Sequence, residues 1–395
     1  MVNNYQVLHL STGHDGGAGI SARRLNTALV NAGINSQFLA LKNKGYTPKI
    51  NESSINRNLI QKILSATIAK LQSKISSKFF FSIYSLNVLS VRKIKRYSQS
   101  EKTILHIHNW FNLLNQKQIA KFQKLGYLVV VTLHDERFYT GGCHHAFYCN
   151  GYMNNCSACP QIYAPLKFAP AKNLIQSIKA FKSETKSLFL IAPSTWILNR
   201  AKDSTLLKKN QIYFISNTHT DFTINKTINR KVNLNNPTVI GVASKDPNSN
   251  IKGADIIKSI QKLIIEENLD YKIIFLSSHV DRNNQIESFW ESIDLLLVPS
   301  RADNSPNVIH EAKSLGIPVV ASTVGGITEL LDPEFDELIP FEQLTAAFIL
   351  HKLDLRKRSK KEFSVMKMQE KFHAYSNNSV NQHIQLYNQL IAENS

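Results

Sequence analysis

Cysteine is scarce in this 395-residue chain: there are four, all between Cys143 and Cys159. A disulfide-stapled secreted fold would spread its thiols along the chain, so that class is excluded. No apolar run approaches the roughly 20 residues that cross a bilayer. The start, Met1-Val-Asn-Asn-Tyr, runs directly into a strand-like segment without the charged, apolar and cleavage regions of a secretory signal. A cytoplasmic protein is therefore expected. Acidic residues are also few, 29 Asp and Glu against 47 Lys and Arg, which leaves a formal charge of +18. Nucleic acid is not the expected partner, because no nucleic-acid-binding module is present and the cations are not interleaved with aromatics. Internal repeats and low-complexity tracts are missing. What remains is an ordinary globular composition, 43% hydrophobic and 19% charged, long enough for two domains with separate cores.

The positive charge has one suggestive concentration. From Ile55 to Tyr97 the sequence reads helical, with Lys62, Lys70, Lys74 and Lys78, then Phe79-Phe80-Phe81, then Arg92, Lys93, Lys95 and Arg96. Cations beside an aromatic cluster suit peripheral contact with an anionic membrane surface; a solvated basic face over a packed helix explains them equally well.

Strands and helices alternate through the first half. Val7–Leu10, Gln37–Leu41, Ile104–Ile107, Tyr127–Leu133 and Leu188–Ile191 are short, apolar and largely β-branched, as strands buried on both faces should be. A polar stretch rich in Asn and Thr follows. A second alternating unit then opens at Thr238–Val242. The reading is α/β: a first parallel-sheet domain over 1–216, with a basic helical excursion at 55–100 and a cysteine-rich loop at 134–170. A linker at 217–236, a second domain over 237–375 and a terminal helix over 376–395 complete it.

The most specific signal runs from Pro299 to Glu329. The apolar run Ile293–Val298 predicts a strand, and Ser305-Pro306 predicts a helix start with serine as N-cap. Asp303 is thereby placed in the loop at the carboxyl end of a strand and Glu311 on the next helix. Pro318-Val-Val-Ala predicts another strand and Gly325-Gly326 a tight turn. Two acids and a helix start then meet where open α/β sheets bind ligands.

This ordered set resembles the donor-sugar motif of family 4 retaining glycosyltransferases, with Asp303 and Glu311 keeping that family's seven-residue separation. The resemblance implies the GT-B architecture, two Rossmann-like parallel-sheet domains facing each other across a cleft, with the last helix returning to the first domain. It implies a hexosyltransferase that needs no metal for catalysis, and no Asp-x-Asp motif of metal-dependent enzymes occurs. Asp303 would bind sugar hydroxyls and Glu311 the ribose, with Asn304, Ser305, Asn307, Gly325 and Gly326 completing the donor site. Lys252-Gly253 matches the phosphate-binding lysine. Where the family often has an arginine shortly before it, this chain has Ser244, and Lys245 would supply the cation. The loop Gly16-Gly17-Ala18-Gly19 would meet the donor diphosphate or the acceptor. Thr132-Leu133-His134-Asp135 matches a segment whose histidine lies by the transferred sugar, and His108, Trp110 and Asp135 would line the acceptor side. Attack on the front face, with the leaving phosphate taking the acceptor's proton, needs no protein base.

The subgroup carrying Thr140-Gly-Gly-Cys-His144 and a later Cys159-Pro160 belongs to bacterial polysaccharide assembly. It implies transfer from a nucleotide-diphosphate sugar to a lipid-linked or oligosaccharide acceptor at the inner face of the membrane. Asp in place of Glu at 303, and the missing arginine, keep a second reading open: a catalytically inactive GT-B shell that regulates another glycosyltransferase. The cysteines themselves point to a structural metal, zinc ahead of an iron–sulfur cluster, with four unlinked thiols as the alternative. In a reducing compartment Cys143, Cys149, Cys156 and Cys159 form a plausible tetrahedral set around one Cys-x-x-Cys half-site, in a segment too poor in periodicity to hold itself. His144 or His145 could replace one thiol.

Overall fold

The computed structural model describes residues 5–42, 46–75, 81–83, 85–98, 100, 102–163, 166–181, 188–219, 239–244, 246, 248–276, 282–358 and 365–394. Two compact units emerge, Met1–Thr218 with Asn378–Ser395, and His219–Asn377.

The first unit is built on seven parallel strands: β1 (Tyr5–Ser11), β2 (Asn35–Leu41), β3 (Glu52–Ile55), β4 (Lys102–Asn109), β5 (Leu128–Thr132), β6 (Leu188–Ala192) and β7 (Ile212–Phe214). Their order is β3-β2-β1-β4-β5-β6-β7. Every residue of β1 and β5 is buried, which is why these strands read as unbroken apolar runs rather than alternating ones. Helices α1 (Gly16–Asn31), α2 (Leu59–Ile75), α3 (Val91–Tyr97), α4 (Gln116–Lys124), α5 (Ala169–Phe181) and α6 (Thr195–Asp203) connect them. Local sequence explains where several begin. The Asn115 side chain accepts from the Gln118 amide at the start of α4, and Ser194 accepts from Ile197 at the start of α6.

The second unit holds β8 (Val239–Ala243), β9 (Lys272–Leu276), β10 (Leu295–Val298), β11 (Val319–Ser322) and β12 (Glu337–Ile339), all parallel, in the order β12-β11-β10-β8-β9. Helices α7 (Ala254–Glu266), α8 (Arg282–Ser292), α9 (Asn307–Ser314) and α10 (Ala346–Arg358) accompany them. A 29-residue helix, α11 (Val365–Glu393), ends the chain and serves both units. Near its start Gln369 donates to the Ser314 carbonyl (3.2 Å), while Leu386, Tyr387 and Leu390 lie in a core of the first unit.

Several expectations need correction. The segment Ile55–Tyr97 is not one helix: β3 ends at Ile55, α2 and α3 are separate, and residues 85–90 between them are irregular. Phe81 is not part of an outward aromatic cluster; it is buried and forms an isolated antiparallel bridge with Cys143. Lys78, Phe79 and Phe80 lie outside the described residues, as do Lys245 and all of the expected linker beyond His219. Helix α9 opens one residue later than expected, with Pro306 in the capping position. Proline has no side-chain acceptor to cap with, and the Ser305 hydroxyl before it bonds the His310 ring (3.0 Å).

Candidate active site

Each sheet has one place where the direction of chain travel reverses, and loops on either side of it part to leave a crevice at the carboxyl ends of the strands. In the first sheet this lies between β1 and β4; in the second, between β8 and β10. The candidate residues fall at these two places.

In the second unit, the Lys252 ammonium follows β8 and pairs with the Asp303 carboxylate, which follows β10. The other Asp303 oxygen accepts from the Asn304 amide (2.9 Å). Lys252 keeps 41% of its side chain exposed, so the pair is held weakly enough to exchange for an incoming anion. Two glycines let the loops close. At Gly253, in the left-handed region, a Cβ would lie 2.2 Å from the Pro299 carbonyl oxygen; at Gly325, one would lie 1.8 Å from the Asp303 carbonyl oxygen. Neither clash can be relieved by a rotamer change, because the obstacle is backbone. The Gly326 amide donates to that same Asp303 oxygen (3.3 Å). Glu311 is buried on α9, as is Asn307 at its first position.

Arg301, which sequence reasoning missed, joins the two loops. Its amide donates to the Ile251 carbonyl (2.7 Å), and its guanidinium grips Asp255 through two bonds of 2.6 Å and the Asn250 carbonyl at 2.7 Å. Its place directly after Pro299-Ser300 was the available signal. A second pin was equally silent in sequence: Lys313 pairs with the fully buried Asp336 (2.6 Å), which also accepts from the Val319 amide (3.0 Å).

In the first unit, Gly16 opens α1 with a positive φ, and a Cβ at Gly19 would lie 2.5 Å from the Gly13 carbonyl oxygen. Gly17 faces open space, so the loop gives a ligand close access at that point. His134 follows β5, and its Nε2 meets His108 Nδ1 at 3.0 Å. Burial, with His383 nearby, lowers its pKa to about 4 despite the neighbouring Asp135. Burial would raise the Asp135 carboxyl, but the His144 ring and Arg137 beside it hold it well below the usual carboxylate range. Trp110, expected on the acceptor side, is a core side chain. Its ring carries the buried Arg137 guanidinium at 4.7 Å, and Arg137 donates to Asn109 (2.9 Å). Glu136, also missed, is a buried carboxylate that accepts from Arg200 and the Ala146 amide (both 2.6 Å) and ties the His134 turn to the cysteine loop and α6.

The four thiols line one cavity with Gly151, Asn154 and Ser157. The Gly151 amide is directed at Cys149 Sγ (3.4 Å), the Gly141 amide at Cys156, and the Gln161 and Ile162 amides at Cys159. Burial pushes the Cys156 thiol up to about 11 and Cys143 well above its ordinary value. Amides aimed at sulfur favour thiolate, which burial alone opposes. A bound divalent metal would resolve that conflict, but no three of the four sulfurs lie within 4.8 Å of one another, so the structure lines one cavity with them without gathering them into a ligand set. A second group, His9, His106 and His108, brings its ligand nitrogens within 4.8 Å of one another.

Residues 237–352 match the family described as Glycosyl transferases group 1. A protein of Escherichia coli (strain K12) provisionally named colanic acid biosynthesis glycosyl transferase WcaC is 22% identical over 293 residues, 64% of this chain and 67% of that one. Among solved structures, sucrose-phosphate synthase of Thermosynechococcus elongatus superposes with a TM-score of 0.62 at 16% identity, covering 98% of this chain and 100% of that chain. Anabaena Alr3699/HepE, solved in complex with UDP and glucose, gives a TM-score of 0.55 at 14% identity, covering 97% and 99%. The fold is thus GT-B, and the comparisons together support a glycosyltransferase whose second domain matches the group 1 family.

Proposed function

We propose that this chain is a retaining hexosyltransferase, catalytically independent of metal, that moves a sugar from a nucleotide-diphosphate donor to a lipid-linked or oligosaccharide acceptor in bacterial surface or exopolysaccharide synthesis. The observation that carries the reading is the Lys252–Asp303 pair at the switch point of the second sheet, closed by Gly253 and Gly325, with Glu311 on the helix that follows. Lys252 and nearby amides receive the diphosphate. Asp303 engages sugar hydroxyls and Glu311 the ribose. The anomeric C–O bond to phosphate breaks while the acceptor hydroxyl bonds the same face, and its proton passes to the departing phosphate oxygen. HepE, bound to UDP and glucose, supports the donor class, and WcaC the biological setting. The inactive-shell alternative is not favoured, since the family match and the relative's name are both those of transferases. The four cysteines, which line one cavity, would close around a structural zinc that shapes the loop after His134.

No described helix is long and apolar enough to cross a membrane. A peripheral cytoplasmic location is supported by α2, which is built inside out. Leu59 and Ile60 are 72% and 67% exposed, whereas Ser65 and Gln72 are the buried positions, at 5% and 6%. With exposed Lys62, Lys70 and Lys74 beside it, this apolar face suits an anionic leaflet.

A thermal-shift screen of nucleotide-diphosphate sugars tests the donor reading. One nucleotide class at about 100 times its Kd should stabilise wild type by roughly 2.7 kcal/mol, and Glu311→Ala should lose most of that shift. A panel in which no nucleotide moves the wild-type Tm, or in which the variant responds equally, would remove the basis for the proposal.

A further inference from the structure

Behind His134 lies a row of buried imidazoles. His9 Nδ1 meets His108 Nε2 at 3.0 Å, and His108 Nδ1 meets His134 Nε2 at 3.0 Å. β1 supplies His9, β4 supplies His108 and the turn after β5 supplies His134, and these three strands are neighbours in the sheet. His9 and His106 occupy paired positions in the β1–β4 ladder. The nitrogens of His9, His106 and His108 are close enough for a metal. Yet His106 already uses both of its own, on Tyr387 Oη and Thr132 Oγ1 (2.7 Å each), and His108 uses both on His9 and His134. A hydrogen-bond chain accounts for the row better than an ion does.

Burial holds His9, His108 and His134 below their ordinary pKa, so each imidazole carries one proton near neutral pH. A chain of three neutral rings joined by two N–H···N bonds then has only two arrangements, with every proton pointing one way or the other. The far nitrogen, His9 Nε2, is buried and makes no hydrogen bond among the described residues. A proton there would be an orphaned buried donor, the rarer and costlier defect. At the opposite end, His134 is the member adjacent to the Asp135 carboxylate, which favours the positive end of the bond dipoles on that side.

We propose that His9 and His108 are positioning residues that fix His134 as the Nδ1–H tautomer, so that His134 acts as a neutral hydrogen-bond donor to a sugar oxygen and not as a base. This rests on the transferase reading for His134's role, while the proton positions themselves do not. His9 is the ratchet: its side chain sets the direction of the whole row. The nearby His383 donates through Nδ1 to the Ser379 carbonyl (2.8 Å), one turn back on its own helix.

Long-range 1H–15N spectra of the full-length protein labelled with 15N-histidine read the proton positions directly. His108 and His134, assigned by the signals lost in His108→Asn and His134→Asn, should both show a protonated Nδ1 and a bare Nε2. An Nε2–H tautomer or an imidazolium at either residue overturns the proposal. Kinetics add a second test. His9→Asn places an amide N–H where Nδ1 stands, while His9→Asp places an acceptor there and reverses the row. The first should keep kcat within about 5-fold of wild type and the second lower it about 100-fold, with a smaller change in donor KM. Equal losses would reduce the row to packing and sink the idea. Should the Asp variant not fold, the spectra and the Asn variant still decide. If His134→Ala leaves transfer intact, the transferase role of His134 fails while the tautomer assignment stands.

Discussion

At the scale of single residues, the chemistry gathers where backbone conformation and charge meet. Asp303 is held by Lys252 and by its own following amide, and its carbonyl is clasped by the Gly325-Gly326 turn. The spacing of Asp303 and Glu311 was legible in sequence. The linkage of Arg301 to Asp255 was not, because it joins residues 46 apart whose meeting depends on two adjacent strands. The cysteines carry their own prediction. Protein purified without added metal should contain about one zinc per chain, and Cys156→Ser with Cys159→Ser should release it and lower Tm. A metal-to-protein ratio near zero would defeat the assignment.

Among the elements, α2 departs furthest from what its sequence promised. Helical spacing made it a helix, but periodicity does not say which stripe faces the core. The structure buries Ser65 and Gln72, with Gln72 Oε1 accepting from the Ile83 amide (2.7 Å), and leaves the apolar stripe outside. If that stripe docks on lipid, wild-type protein should co-sediment with vesicles rich in anionic lipid and much less with neutral ones. Replacing Leu59, Ile60 and Ile63 by serine should weaken the binding about tenfold or more, since each removes a side chain worth roughly 1.5–3 kcal/mol when buried. Binding that ignores both lipid charge and these substitutions would exclude the docking role. The strands were easier to read. Those buried on both faces announce themselves as apolar runs, whereas β3, β7 and β12 are short and partly exposed and gave no such signal.

For the molecule as a whole, the buried histidines make stability depend on pH. Burial lowers the pKa of His9 to about 3 and of His134 and His383 to about 4, with His106 and His108 well below the ordinary 6.5. As pH falls through 6.5 the unfolded chain takes up protons that the folded chain refuses until about 4 or 3. Stability is therefore full above pH 6.5 and declines below it, by about 1.4 kcal/mol per pH unit for each such histidine in that window. Urea midpoints should be level above neutrality and fall steeply below about pH 6. A level profile down to acid pH would contradict the burial of these rings.

What the amino-acid order determined alone was local. Apolar runs specified strands, an acid pair at a strand-to-helix junction specified a donor-site motif, and four clustered thiols specified a candidate metal loop. These signals need only neighbours in the chain, within one turn, strand or loop. The row from His9 through His108 to His134, the anchoring of Tyr387 on His106, and the inverted face of α2 were decided by tertiary structure. Each depends on which strands become neighbours and which side of a helix meets the core. Those choices minimise buried, unpaired polar groups over the entire chain, and no short window of sequence contains that sum.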